Sequence, residues 1–286
     1  MGRVLPALGL SRFALRSGSR DVSEGEGEGE VATGTSARER TGPVESAPVT
    51  TISFARGAPC PEALNGDLIA ECTRAALAAD HVRILSYGTG HGYPPLREVL
   101  AAEHGARPDQ VFITNGSLQG FVFLLETLLE PGDLVAVEAP TYDRALLQLR
   151  LHGMDVLPIP VEDDGLDVDA LAASCAAGRV PRLVYTIPNF QNPSGATISL
   201  DKRRALVGVC ERHGILILED DPYGKLRFEG EALPSIATLA PEGRVLFTSS
   251  FSKTVAPGLR VGYLVAPAEI AGPLAAAASR TYISPA

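Results

Sequence analysis

Lys253 stands in the run Ser250-Phe251-Ser252-Lys253-Thr254-Val255-Ala256-Pro257-Gly258-Leu259-Arg260, which places two hydroxyls and a cation close to one amine. A lysine that is partly desolvated and near another cation gives up its proton more easily, and the free amine can attack a carbonyl to form an imine. An ordinary exposed lysine beside a turn fits the same residue, so its companions must decide.

Several companions have the right chemistry. Asp220 follows the apolar run Ile215 to Glu219 and precedes Tyr223 by three residues, so one turn can present a carboxylate and a phenol together. Its neighbours Glu219 and Asp221 are also acids, and spacing alone does not separate the three. Asn192 lies in Gln191-Asn192-Pro193-Ser194-Gly195, a turn signal that also supplies a side-chain amide. Ser117 and Gln119 follow Thr114-Asn115-Gly116 at the start of a helical stretch, where unpaired amides attract an anion, although a serine there is equally a cap. Ser250, Ser252 and Arg260 add hydroxyls and a guanidinium. Tyr142, after Pro140-Thr141, offers a flat ring that can stack on a ligand or pack in the core. Pyridoxal phosphate asks for a carboxylate at its ring nitrogen, donors at its phenolic oxygen, a phosphate cradle and a surface against its ring. These residues can supply all four.

The elements that would hold them read as short apolar strands: Val111 to Thr114, Leu134 to Glu138, Arg182 to Ile187, Ile215 to Glu219, Val245 to Ser249 and Gly262 to Val265. Near-continuous apolar runs of this length are sheltered on both faces of a parallel sheet. Helical stretches intervene, one from Ser117 to about Leu129 and another over Asp201 to His213 behind Ser199 as a cap. The fold class expected is α/β. Ligands of such sheets bind beyond the carboxyl ends of the strands, which is where the polar residues collect.

Composition narrows the field. The chain has 286 residues, 45% of them apolar, and a formal net charge of −9, which speaks against a nucleic-acid binder. Cys60, Cys72, Cys175 and Cys210 form no CxxC pair and suit a reducing, cytoplasmic setting, and the five histidines show no HxxH or HExxH spacing, so no metal site is expected. The longest apolar candidate, Phe121 to Leu129, is broken by Glu126, so no membrane span is expected. Residues 1–48, with the alternation Glu24 to Glu30, are expected to be a disordered tail, although the Arg-rich, acid-poor start also resembles a presequence. Tyr87-Gly88-Thr89-Gly90-His91-Gly92 lacks the full nucleotide-loop patterns; its glycines imply a tight turn or a close approach of backbone.

In order along the chain, Ile52-Ser53-Phe54-Ala55, Tyr87-Gly88 with Gly92 and Pro95-Leu96-Arg97, Thr114 to Ser117, Pro140-Thr141-Tyr142, Pro188 to Gly195, Asp220-Asp221-Pro222-Tyr223 and Ser250 to Gly262 resemble the fold type I pyridoxal-phosphate aminotransferases of class I/II, especially the branch of 2-aminoadipate and broad-specificity enzymes. The resemblance spans roughly residues 50 to 286 and implies a three-layer α/β/α large domain around a mostly parallel, roughly seven-stranded sheet. It divides the chain into the tail, an arm over residues 49–85 and a cofactor-binding domain over 86–286. It implies that Lys253 carries the internal aldimine and moves the proton between Cα and C4′. Asp220 would pair with the pyridine nitrogen, Asn192 and Tyr223 would contact the phenolic oxygen, and Tyr142 would stack. Ser117, Gln119, Ser250, Ser252, Arg260 and the backbone amide of Leu118 would surround the phosphate. Tyr87 would reach the phosphate of a second subunit, which implies a homodimer. The implied reaction is ping-pong transamination between an L-amino acid and a 2-oxo acid, with 2-oxoglutarate as the expected acceptor; a lyase or decarboxylase of the same fold is the alternative.

Two departures accompany the resemblance. Leu118 replaces a common glutamine, and Arg56-Gly57 replaces a frequent Gly-Gly near the substrate carboxylate, where Asn192 would also contribute. The chain further stops at Ala286, where the resemblance leads to an interdomain helix and a small domain carrying a substrate-clamping arginine, so a cofactor-binding fragment with impaired catalysis is expected.

Overall fold

The computed structural model describes residues 57–240, 244–282 and 285. The expected tail, and Arg56 with it, lie outside the described residues. Among the described residues eight strands form one sheet: β1 (Val111–Thr114), β2 (Leu134–Ala139), β3 (Asp155–Glu162), β4 (Gly165–Leu166), β5 (Leu183–Thr186), β6 (Leu216–Asp220), β7 (Val245–Ser250) and β8 (Gly262–Val265), in the order β1-β8-β7-β6-β5-β2-β3-β4. Strands β3, β2, β5, β6 and β7 run parallel, whereas β8 is antiparallel to both β7 and β1. The six strands expected from the apolar runs are present. Every residue of β1, β5, β6 and β7 is buried, as strands covered on both faces must be.

Strand β3 escapes a reading by apolar runs because Pro158 and Pro160 interrupt it. Both prolines are tolerated for one reason. Asp155 donates to Asp133 toward the β2 side, and the two-residue alternation turns the imide nitrogens of Pro158 and Pro160 to the opposite side, which lacks a partner strand until Val161 pairs with Leu166.

Helices cover both faces. On one face α3 (Ser117–Leu128), α4 (Asp143–Leu151) and α8 (Ala268–Ala278) bury Phe121, Leu124, Leu149 and Leu274 against Val137, Tyr185, Leu218 and Leu246. On the other, α5 (Val168–Ala176), α6 (Leu200–His213) and α7 (Ile236–Leu239) bury Leu171, Leu206 and Ile236 against Ala136, Val184 and Ile217. Ser199 caps α6, its side chain accepting from the Lys202 amide as the sequence suggests. Among the described residues two further α-helices precede β1: α1 (Gly66–Ile84), which has no buried residue, and α2 (Pro94–His104), which packs Leu100 and Ala101 onto Val111, Ile113, Phe247 and Tyr263. The backbone is indeed approached closely at Gly90, where a Cβ would lie 2.5 Å from the Ser279 hydroxyl oxygen. Among the described residues no helix is long and apolar enough to cross a membrane.

The register sets the site. Thr114 and Ser250 both pair with Gly262, and Asp220 pairs with Thr248, so the ends of β1, β6 and β7 meet the start of the reversed β8 at one edge. Arg260, two residues before β8, is thereby delivered to the mouth of α3.

Candidate active site

Asp220 closes β6 on the face shared with Leu216 and Leu218. It is buried at 8% exposure. Its Oδ2 accepts from the Tyr185 hydroxyl at 2.9 Å, while its Oδ1 is buried with no hydrogen-bond partner. Burial pushes its carboxyl up to about 7, the Tyr185 bond opposing and Asp221 assisting. The two flanking acids are otherwise employed. Glu219 points to the opposite face and accepts from the first amides of α7, Ile236 at 3.0 Å and Ala237 at 2.9 Å. Asp221 accepts from the Asn189 amide at 2.9 Å and the Gly224 backbone at 2.8 Å, which makes it a turn residue. The choice that spacing left open is thus made by strand alternation and by hydrogen-bond accounting.

Around Asp220 stand the phenols. Tyr223 lies near the Asn192 side chain, and its hydroxyl is pushed up by burial first and by Asp220 and Tyr142 next. Tyr142, the residue before α4, is half-buried against the same apolar cluster and feels the Asp220 charge. Lys253 follows β7 with its Nζ 5.9 Å from the centre of the Tyr223 ring, and donates to the Gly57 carbonyl oxygen. Burial, with Arg260 second, lowers its ammonium from the usual lysine range. Both causes favour the neutral, nucleophilic amine.

The α3 mouth is built for an anion. Gly116 precedes the helix at φ 88°, and no side chain caps it. A Cβ on Gly116 would overlap the Arg260 guanidinium, and one on Gly262 would lie 2.5 Å from the Ser117 amide nitrogen. Two glycines therefore let a cation and a free helix end share one small space. Arg260, itself in the left-handed region at φ 52°, reaches the Asn115 carbonyl at 3.3 Å and the Ser252 hydroxyl at 3.5 Å. The Ser252 amide donates to Ser250 Oγ at 3.3 Å. Gln119 turns back, its side-chain oxygen accepting from the Asn115 amide at 2.8 Å, and Leu118 packs on the apolar cluster, leaving only its backbone for a ligand. Tyr87 stands apart from this group: it is 88% exposed and makes no hydrogen bond to it.

The donor set fits pyridoxal phosphate. An orphaned buried carboxylate oxygen matches a ring N–H, Asn192 with Tyr223 matches the phenolic oxygen, and the α3 mouth with Ser250, Ser252 and Arg260 matches the phosphate. Sequence reasoning missed Tyr185, Glu138 and Gln191. A lone tyrosine in the otherwise aliphatic Leu183-Val184-Tyr185 and a glutamate inside Leu134–Ala139 were the available signals, since a buried polar side chain in a covered strand needs a partner.

The class I and II aminotransferase family model matches residues 50–286. The chain is 37% identical over 225 residues to aromatic-amino-acid aminotransferase 1 of Thermococcus litoralis, covering 75% of this chain and 54% of that protein. It is 38% identical over 218 residues to 2-aminoadipate transaminase of Thermus thermophilus, covering 75% and 55%. A crystal structure of alpha-aminoadipate aminotransferase from Thermus thermophilus, complexed with N-(5'-phosphopyridoxyl)-L-leucine, superposes with a TM-score of 0.76 at 36% identity, over 81% of this chain and 60% of that one. The α/β frame, shared with that aminotransferase structure, and the strand edge that carries Lys253 and the orphaned Asp220 oxygen define a protein of the pyridoxal-phosphate transferase fold. The chain belongs to the class I and II aminotransferase family. It spans about half the length of the curated relatives it matches.

Proposed function

We propose that this chain carries the pyridoxal phosphate site of an aminotransferase that moves an amino group between an L-amino acid and a 2-oxo acid, with 2-oxoglutarate as acceptor. The observation that carries the reading is Asp220 Oδ1, a buried carboxylate oxygen with no partner, at the strand edge where Lys253 and the α3 mouth meet. Leaving such an atom unpaired is costly, and a positively charged N–H is the partner that removes the cost.

When bound, pyridoxal phosphate supplies an aldehyde that amines condense with and a ring that accepts the electrons of a broken Cα–H bond. Asp220 would pair with the ring nitrogen and favour its protonated form. Asn192 and Tyr223 would orient the phenolic edge, Tyr142 would offer its ring to the cofactor, and Ser117, Leu118, Gln119, Ser250, Ser252 and Arg260 would hold the phosphate. Lys253 would anchor the cofactor through its amine and, when free, would serve as the base and acid that moves a substrate proton; its lowered basicity suits it to both directions. Gly57, whose carbonyl accepts from Lys253, and Arg56, the residue before it in the sequence, would serve the substrate carboxylate. Tyr87 serves the phosphate of the second subunit of a homodimer, which accounts for a tyrosine left so exposed in one chain. The relatives named for aromatic amino acids and for 2-aminoadipate support an amino acid with a long or aromatic side chain as donor.

The test is product analysis after incubation of the cofactor-loaded chain with 2-oxoglutarate and, in turn, L-2-aminoadipate, L-lysine, L-alanine and aromatic amino acids. Glutamate formed with release of the matching 2-oxo acid is expected. Carbon dioxide or ammonia as the product would assign the site to a decarboxylase or lyase instead.

A further inference from the structure

We infer that Glu138, acting through Gln191, is the positioning device that sets Asn192 for the cofactor; the inference rests on the site reading above. Glu138 sits near the end of β2, 1% exposed, on the sheet face opposite Asp220. Three donors converge on it. Thr186 Oγ1 donates to its Oε1 at 2.6 Å, and the Ile187 amide and Gln191 Nε2 donate to its Oε2 at 3.1 and 2.9 Å. A carboxylate accepts all three, whereas an amide in its place would turn its own donor against one of them.

Gln191 is also buried, at 2% exposure, and every hydrogen-bonding group it has is engaged. Its Nε2 is shared with the Pro140 carbonyl at 2.8 Å. Its Oε1 accepts from the Ser194 amide and hydroxyl at 2.8 and 2.7 Å. Its own amide donates to Ala196, and its carbonyl accepts from Gly195. Glu138 and Gln191 therefore tie the loop after β2, which carries Tyr142, to the loop after β5, which carries Asn192. Asn192 is the next residue in the chain, and its side chain lies near Tyr223. Neither Glu138 nor Gln191 needs to touch the ligand. Their work is to fix where the ring-facing and phenol-facing groups stand relative to each other, and small misplacements at such positions are expensive.

A double-mutant cycle separates this role from general support of the fold. The dissociation constant of pyridoxal phosphate is measured by absorbance titration for the 286-residue chain, Gln191→Met, Asn192→Ala and the double variant. Gln191→Met is expected to weaken binding about tenfold alone and less than about twofold in the Asn192→Ala background, the size of one lost hydrogen bond to a charged group. Equal losses in both backgrounds overturn the inference while leaving the site reading intact. Failure of the unmodified chain to take up the cofactor overturns both. Should Gln191→Met not fold, Glu138→Gln in the same cycle gives the same pattern with a smaller factor, and additivity there also overturns the inference.

Discussion

Glu219 and Asp220 are consecutive, both buried, and burial pushes both carboxyls up to about 7, yet they stand on opposite sides of one sheet. Glu219 is closed off by two amides of α7 and holds that short helix on the sheet. Asp220 has one phenol for one oxygen and nothing for the other. The contrast teaches that a perturbed titration marks burial, while of these two buried acids the one left with an unsatisfied oxygen is the one free to take a ligand.

The sharpest break in this comparison is to remove each acid in turn. Asp220→Ala should weaken pyridoxal phosphate binding on the order of 100-fold, as loss of a buried charge-assisted hydrogen bond does. Glu219→Gln should leave that affinity within about twofold and instead lower unfolding stability by about 1–3 kcal/mol, because one of the two α7 amides then meets an NH2 donor in place of its acceptor. Cofactor titration and denaturant unfolding of both variants check the pair, and a reversal of the two phenotypes would undo it.

Protons offer a second way in. For both acids the folded value is raised above the unfolded one, 3.8 for Asp220 and 4.5 for Glu219, so between those values and about 7 the folded chain binds more protons than the unfolded chain. Stability from these groups is therefore present at low pH and is lost as pH rises through that window. Unfolding of the cofactor-free chain between about pH 5 and about pH 8 should show this slope, and Asp220→Asn and Glu219→Gln should each flatten part of it. Saturating cofactor should remove the Asp220 share alone, since a ring N–H then stabilises the carboxylate.

A smaller effect follows from Tyr185. Tyr185→Phe keeps the ring and removes the one donor to Asp220, so cofactor affinity should change by about threefold and stability by about 1 kcal/mol. Smallest is Ser199→Ala, far from the strand edge: loss of the α6 cap should cost about 1 kcal/mol in unfolding and leave cofactor affinity unchanged.

Much of this frame is legible in the chain. The apolar runs that became β1, β2, β5, β6, β7 and β8 are buried on both faces, and a doubly covered strand has no reason to alternate. Strand β3 is not legible that way, because its prolines are harmless only once β2 is known to lie on the other side. The direction of β8 is equally hidden in Gly262-Tyr263-Leu264-Val265, and that reversal is what brings Arg260 to α3. At the site, residue types at strand ends pointed to Lys253, Tyr223 and Asn192, but three acids in a row carry no sign of which face each one takes. That sign comes from the register with β5 and β7 and from where α7 docks. Tyr185 and Glu138 stand out as polar residues in apolar runs, but their roles are hidden for a related reason: inside a covered strand a polar residue acquires meaning only from a partner distant in sequence, here 35 and 53 residues away for Asp220 and Gln191.

The central claim is that the Lys253 amine holds the cofactor. Borohydride reduction of the pyridoxal phosphate-loaded chain, followed by proteolysis and mass mapping, tests it most directly. The account predicts one phosphopyridoxyl group, on Lys253, and none in Lys253→Ala. Stoichiometric labelling of another lysine, or label retained by Lys253→Ala, would contradict it.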